Sequence, residues 1–476
     1  MNSYESYEAV IGLEVHVELK TDTKIFCSCP TSFGAPPNTH VCPVCMGLPG
    51  TLPVLNRKAV EFAIKAGLAL ECSIQRKTRL DRKNYFYPDL PKAYQISQYE
   101  LPLCYGGKVY IDGNKSIGIT RIHIEEDAGK LIHDASHGTM IDYNRCGVPL
   151  IEIVSEPDIR SAEEAKVYLG ELRTILLYTG ISDCRMDEGS LRCDVNLSVR
   201  KKGDKAFGVR TEMKNINSFA FVAKAIEYEF SRQAELIENG DRVIPETRRF
   251  DSATGKTYSM RSKETAADYR FFPEPDIPSF EISVEMIEKL RKEIPSLPAE
   301  RRQRYVDRFG LRQEDADIIV SRPEMADYFE MVSSKTEFTR LAANMMITDL
   351  LALVGADGFD CPISPSALAE LATLSGSQAV NSSTVKKLIK LLQTPEYSGS
   401  SPTDIVSSLK LYQINDLEAL RSVLQSVIEK SPKLLTDYKS GKSSAKKAII
   451  GGVMAHTSGL ANPIILNDIF DEMISD

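Results

Sequence analysis

Two groups of residues in this chain have the types and spacing to do chemistry. The first begins at Ile11-Gly-Leu-Glu14-Val-His16-Val-Glu18-Leu19. Side chains of a strand alternate with period two, so Glu14, His16 and Glu18 share one face, and Leu13, Val15, Val17 and Leu19 share the other. The apolar face belongs on a core. The other carries two carboxylates flanking an imidazole, where an ordinary half-buried strand carries Thr, Ser or Lys. Alone, such a face is also what a solvated strand with a chance histidine looks like.

More acids follow on strand-like segments. Ile122-His-Ile-Glu-Glu126-Asp127 ends in three consecutive carboxylates, whose repulsion a cation would relieve. Glu152 stands between Ile151 and Ile153 and therefore points away from their face. Hard oxygen donors with one imidazole suit Mg²⁺. Singly, each acid reads as a solvated residue. Together, Glu14, His16, Glu126 and Glu152 form a candidate magnesium site, although spacing along the chain does not make them converge.

The second group is Cys27-Ser-Cys29 and Cys42-Pro-Val-Cys45. Two close cysteine pairs separated by a loop can place four thiolates tetrahedrally around Zn²⁺, and four thiolates leave no open position, so such a zinc is structural. Four unliganded thiols are the alternative, and His40 is a substitute ligand. The metal is expected to pin the loop after the first strand and so hold Glu14 and His16. The other six of the ten cysteines read as packing.

Three basic segments are candidates for nucleotide or nucleic-acid contact. Asp81-Arg-Lys83-Asn-Tyr-Phe-Tyr-Pro-Asp-Leu-Pro-Lys92 is aromatic, basic and proline-rich, so Lys83 or Lys92 could face a phosphate and an aromatic ring a base; ordinary loop packing reads the same way. An alternating stretch from Ser190 to Arg200 puts Arg192, Asp194, Asn196 and Arg200 on one face, with nucleotide contact possible. Lys430 to Lys447 holds six lysines and a single Asp, a phosphate-backbone patch or a solvated helix face.

Several chemistries are excluded by their signatures. Gly255-Lys256-Thr257 resembles the end of a phosphate-binding loop, but Phe250 breaks the required glycine spacing. Dinucleotide, zinc-peptidase and nucleophile-elbow motifs are absent, as is a Ser/Lys amidase signature. A chain of this kind that moves nitrogen does not make the ammonia itself.

The elements that must position these residues are legible in outline. At 476 residues the chain exceeds one core. Residues 1–295 alternate strands (10–19, 117–124, 148–154, 192–200) with helices at 56–70 and 161–179, and Gly180 caps the latter. From 296 to 400 helices take over, begun by Pro298 and Pro323. A Ser/Gly/Pro stretch ends near Pro402, and 403–476 is a small helical tail. The fold class is thus α+β: a strand-rich mixed domain, then an α-helical domain, then a small helical tail. No apolar run approaches the roughly 18 residues of a membrane span, and the acidic, polar N-terminus lacks a secretory pattern, so a cytoplasmic setting is expected. A net charge of −8 still permits a local nucleic-acid patch.

With these residues in view the chain resembles the B subunits of the tRNA-dependent amidotransferases. The matching strings are Ile-Gly-Leu-Glu-Val-His-Val-Glu-Leu, Asp-Arg-Lys-Asn-Tyr-Phe-Tyr-Pro-Asp, Asn-Arg-x-Gly-x-Pro-Leu-Ile-Glu-Ile-Val-Ser-Glu-Pro, Glu-Gly-Ser-Leu-Arg-Cys-Asp and Asp268-Tyr-Arg-Phe-Phe-Pro-Glu-Pro-Asp. They fall in order through the first 280 or so residues, and the match is weaker beyond. The resemblance implies a carbon–nitrogen ligase. ATP phosphorylates the side-chain carboxylate of Glu-tRNA(Gln) or Asp-tRNA(Asn), and ammonia from a glutaminase A subunit displaces the phosphate. It also implies a small C subunit in a heterotrimer, Mg²⁺ at Glu14, His16, Glu126 and Glu152, nucleotide contact by Lys83, Arg192 and Asp194, and a tail that touches tRNA. That tail departs from the family pattern: Leu460 replaces a lysine in Gly-Lys-Ala-Asn-Pro, which lowers its positive charge. The competing expectation is a zinc-containing RNA-binding module without catalysis.

Overall fold

The computed structural model describes residues 4–112, 115–134, 136, 138–262, 268–355 and 358–475. Residues 1–3, the start of the acidic terminus, lie outside them. The chain divides into two compact units, Met1–Pro298 and Ala299–Asp476.

The first unit is built on a nine-stranded sheet whose centre is β1 (Tyr7–Glu18). The other strands, in chain order, are β2 (Ser73–Ile74), β5 (Cys104–Asp112), β6 (Lys115–Glu126), β7 (Pro149–Ser155), β8 (Leu191–Lys201), β9 (Thr211–Lys214), β10 (Glu246–Asp251) and β11 (Lys256–Ser262). Two further short strands, β3 (Asp81–Asn84) and β4 (Tyr94–Ser97), pair antiparallel in a separate small sheet. Across the large sheet the order is β11-β10-β9-β8-β1-β7-β6-β5-β2. β1 lies antiparallel between β7 and β8, with His16 opposite both Glu152 and Arg192, and Glu14 opposite Val154 and Asp194. Register therefore decides which acids meet: a shift by one residue would turn each set to the other face.

Three helices close the apolar face. They are α1 (Arg57–Ala69), α2 (Ala162–Thr179) and α3 (Phe219–Glu238), whose buried side chains join Leu13, Val15 and Val17 in one core. Each begins at a side-chain cap: Asn56, Ser161 and Ser218 accept from Lys58, Glu164 and Phe221 N–H groups. α2 ends at Gly180 with φ +67°, a conformation that glycine adopts without strain. α3 was not legible in the sequence, because its buried stripe includes Glu229 and Gln233. Those two find partners in strands: Glu229 accepts from Thr211, Thr257, Arg232 and Gln233, and it ion-pairs with Arg248.

The second unit is helical, from Pro298–Phe309 to Pro463–Ser475. One of its helices is irregular: Thr339–Met345 runs into a π turn at Met346–Leu350 and a 3₁₀ turn at Leu351–Leu353. In the tail, Leu417–Lys430, Ser443–His456 and Pro463–Ser475 enclose a separate small core of Leu420, Leu424, Ile449, Val453 and Phe470. The architecture is the α+β arrangement expected: a mixed sheet unit followed by helical regions. Among the described residues no helix is long and apolar enough to cross a membrane.

Candidate active site on the polar face of the sheet

Every second residue of β1 points away from the helices, and there the acids gather. His16, Glu125 and Glu152 form one group; Glu14, Asp194 and Glu212 form a second, and within each a ligand atom of every member lies within 4.8 Å of the others. In the first, His16 Nε2 is 3.6 Å from Glu125 and 3.5 Å from Glu152. His123 Nε2 is 3.4 Å from Glu152, and its Nδ1 accepts from Arg121 at 3.4 Å. That contact leaves Nε2 as the protonated nitrogen, so His123 donates to the carboxylates and orients them.

Burial works to protonate these acids, and the hydrogen bonds and positive charges around them win. The Glu152 carboxyl sits well below its ordinary range despite burial, held there by His123, His16 and Lys83, and Glu125 is lowered by His123, Lys83 and His16. Burial would lower His16, but its hydrogen bond to Glu152 and the charges of Glu152, Glu125 and Asp194 raise it to about 9. An imidazole must shed its proton to ligate a metal. A divalent cation held by this group would therefore bind more tightly as pH rises, releasing a proton from His16 near pH 7. Calorimetric titration in buffers of differing ionisation enthalpy measures that release.

In the second group Lys214 reaches Asp194 and lies 3.3 Å from Glu212. Asn196 donates to Glu14 at 2.9 Å, and Glu14 is raised by burial and by Glu152, Asp194 and Glu212. Beyond His16 along β1, Glu18 shares a hydrogen bond with Asp127, which also accepts from Arg192 at 2.6 Å.

The expected residues thus fall in different places. Glu14, His16 and Glu152 share the polar face, and Asp194 stands with Glu14. Lys83 on β3 directs its charge at Glu125 and Glu152, with its ammonium 4.9 Å from the Tyr269 ring centre. Arg192 faces Asp127 and Glu18. Glu126 does not join them: it points to the core side, where Lys92 pairs with it at 2.5 Å and the Ile96 N–H donates to it at 2.9 Å. The signal was present, since period two from His123 puts Glu125 on the polar face and Glu126 with Ile122 and Ile124. Glu212 and Lys214 were missed because β9 is only four residues long.

Where β1 passes Glu14 the face opens into a cavity of about 350 Å³. Asn196 lines it, Val10, Val154 and Pro157 supply apolar wall, and Phe207 and Arg210 stand on the loop before β9. Phe207 is 62% exposed, with the Arg200 guanidinium 5.6 Å from its ring centre.

Cys27, Cys29, Cys42 and Cys45 are all free thiols with sulfurs within 4.8 Å of one another. A tetrahedron with metal–sulfur bonds near ~2.3 Å has sulfurs roughly 3.8 Å apart, so the donor set fits a zinc ion. His40 is not part of this group. The cysteine loop is tied to the segment leading into β7: the His40 N–H donates to Asn144 at 2.8 Å, Asn38 to the Ile141 carbonyl at 2.9 Å, and the Cys146 thiol lies 3.6 Å from the Cys45 carbonyl. It thus braces the approach to Glu152 more directly than Glu14 or His16.

Comparison with known families defines the class. Residues 9–288 match the model of the GatB/GatE catalytic domain, and residues 327–474 match that of the GatB domain. The chain is 51% identical to the B subunit of the aspartyl/glutamyl-tRNA(Asn/Gln) amidotransferase from Caldicellulosiruptor saccharolyticus, over 98% of both chains. It is 50% identical to the corresponding protein from Carboxydothermus hydrogenoformans, over 98% of this chain and 99% of the relative. It belongs to the family of tRNA-dependent amidotransferase B subunits.

Proposed function

We propose that the polar face of the sheet is the transamidation site. There the side-chain carboxylate of Glu or Asp esterified to tRNA(Gln) or tRNA(Asn) takes the γ-phosphoryl group of ATP. Ammonia then forms the new C–N bond as the C–O bond to phosphate breaks, giving the amide, ADP and phosphate. The observation that carries this reading is the convergence of two groups whose donor atoms could hold a metal ion, His16-Glu125-Glu152 and Glu14-Asp194-Glu212, side by side along β1.

His16, Glu125 and Glu152 would hold one Mg²⁺, and Glu14, Asp194 and Glu212 a second divalent cation. Bound there, the ions supply neutralisation of the phosphate charge. The chain's own groups do the positioning. His123 holds Glu125 and Glu152 ionised and oriented, and Lys83 presents a further cation to the same face. The adjoining cavity receives the nucleoside of ATP, with Phe207 stacking on the base and Arg210 near the phosphates. Phe207→Ala should then raise KM for ATP roughly tenfold with a smaller change in kcat, as loss of one base–aromatic stack predicts; steady-state kinetics in ATP measures it. Zinc on the four cysteines is structural. Domain boundaries near 295 and 400, a tail that touches tRNA, a glutaminase A subunit, a small C subunit and a cytoplasmic setting complete the reading.

The test supplies the full chain, with its A and C partners, with Glu-tRNA(Gln) or Asp-tRNA(Asn), Mg·ATP and ammonium chloride, which bypasses the glutaminase. Amidated tRNA that vanishes on Glu14→Gln places the chemistry here. A folded complex that binds tRNA and turns over no ATP would leave only an RNA-binding chain.

A further inference from the structure

Lys24 has no part in the reaction above, yet its side chain is fully buried, with 0% of it exposed. Its ammonium has two partners: the Cys45 sulfur at 3.7 Å and the Tyr143 carbonyl at 3.2 Å. Its backbone N–H donates to the Cys29 carbonyl at 2.9 Å, so the residue is fixed to both cysteine pairs. The neighbouring buried lysine, Lys92, has a carboxylate partner in Glu126. Lys24 has a sulfur and a carbonyl instead.

A buried ammonium costs several kcal/mol unless an anion faces it. Without metal, at most one negative charge, on the Cys45 sulfur, faces this ammonium. Four thiolates on a divalent ion carry a net charge of about −2, and Lys24 stands against one of them. We propose that Lys24 is the counter-cation of a zinc–tetrathiolate centre. Its N–H···S contact at Cys45 neutralises part of that charge and slows metal loss. Its contact at Tyr143 ties the loaded centre to the segment that enters β7 and carries Glu152. This extends the assignment of a structural zinc to the four cysteines and needs no part of the catalytic reading.

The size of the effect of removing this charge should depend on the metal. Lys24→Met keeps the length and removes the charge. In the zinc-loaded full chain it should speed zinc release to a chromogenic chelator by about 10–100-fold, as loss of an outer partner does. It should also lower the melting temperature of the zinc-loaded chain. In the chelator-stripped chain the same substitution should lower the melting temperature by clearly less, because the ammonium there faces at most one negative charge, on the Cys45 sulfur. Lys24→Arg should restore slow release. A lysine that merely fills space would shift the loaded and stripped chains alike. That result, a release rate within twofold of the native chain, or failure of the native chain to bind zinc would each overturn the proposal. Should Lys24→Met not fold, the native chain still decides the matter: one lysine ¹⁵Nζ resonance must move when ¹¹³Cd occupies the cysteines, and an unmoved spectrum would overturn it.

Discussion

Glu152→Gln is expected to lower ammonium-driven formation of amidated tRNA by at least about 10³-fold in kcat, with tRNA binding retained. The magnitude follows from what the reaction asks of the protein. Phosphoryl transfer needs little covalent help, so positioning and charge neutralisation supply most of the rate, and removing one preorganised charge at such a centre costs about 10²–10³. Glu152 carries more than one such role. It faces His16 at 3.5 Å and His123 at 3.4 Å, and its carboxyl lies well below its ordinary range. Gln keeps the volume and removes the charge that holds His16 and any cation. Glu125→Gln should be as severe. Glu126→Gln separates the two readings of this acidic run. Its carboxylate pairs with Lys92 on the core side, so its loss should lower stability by roughly 3–5 kcal/mol, as breaking a buried pair does. The magnesium dependence of the folded fraction should stay as it was. Single-turnover assays across a Mg²⁺ series, with melting curves for each variant, measure both effects. Equal loss of magnesium dependence in Glu126→Gln would overturn the geometric assignment.

The second large effect is on stability alone. Glu229→Gln should destabilise the first unit by about 1.5–3 kcal/mol at neutral pH, because the Arg232 and Arg248 guanidiniums lose their buried carboxylate partner and keep only Glu246. Glu229 has a fully buried side chain and lies 2.6 Å from Arg232 and 3.4 Å from Arg248. Burial would raise its carboxyl, but hydrogen bonds from Arg232 and Gln233 and the two arginine charges hold it below the ordinary value. A carboxyl whose folded-state pKa is lowered stabilises the fold fully above its unfolded value, near ~4.3, and loses that contribution as pH falls through the folded value. The gap between native chain and variant should therefore be widest at about pH 6–8 and close below about pH 4. Denaturant unfolding at a series of pH values checks it. A gap that persisted at low pH would show that shape, rather than charge, is what Glu229 supplies.

Period and spacing along the chain settle its local elements. β1 is a strand because apolar residues alternate with Gly12, Glu14, His16 and Glu18, and that alternation alone puts the three polar side chains on one face. Helices α1 and α2 follow from their apolar stripes and caps. The cysteine spacing brings four thiols together through a short loop, and the long matching strings were enough to indicate the family. Each of these signals is local: the residues that carry it lie within a turn, a strand or a loop of one another.

Tertiary structure alone decided which distant residues meet. Glu14 acquires Asp194 and Glu212 only through the registers of β1 with β8 and of β8 with β9. Glu125, not Glu126, reaches His16 because β6, past the register shift after Ile119, presents its odd residues to the polar face, a choice that Glu125-Glu126-Asp127 obscures by offering a carboxylate at every position. α3 stayed hidden for the converse reason. Its Glu229 and Gln233 read as exposed until strands supply Thr211, Thr257 and Arg248 as partners. Lys24 is the same case: a lysine in a loop reads as solvated, and only the fold closes the Cys45 sulfur and the Tyr143 carbonyl onto it. A buried charge is stable only beside groups that satisfy it, and here those groups come from segments that lie far apart in the chain.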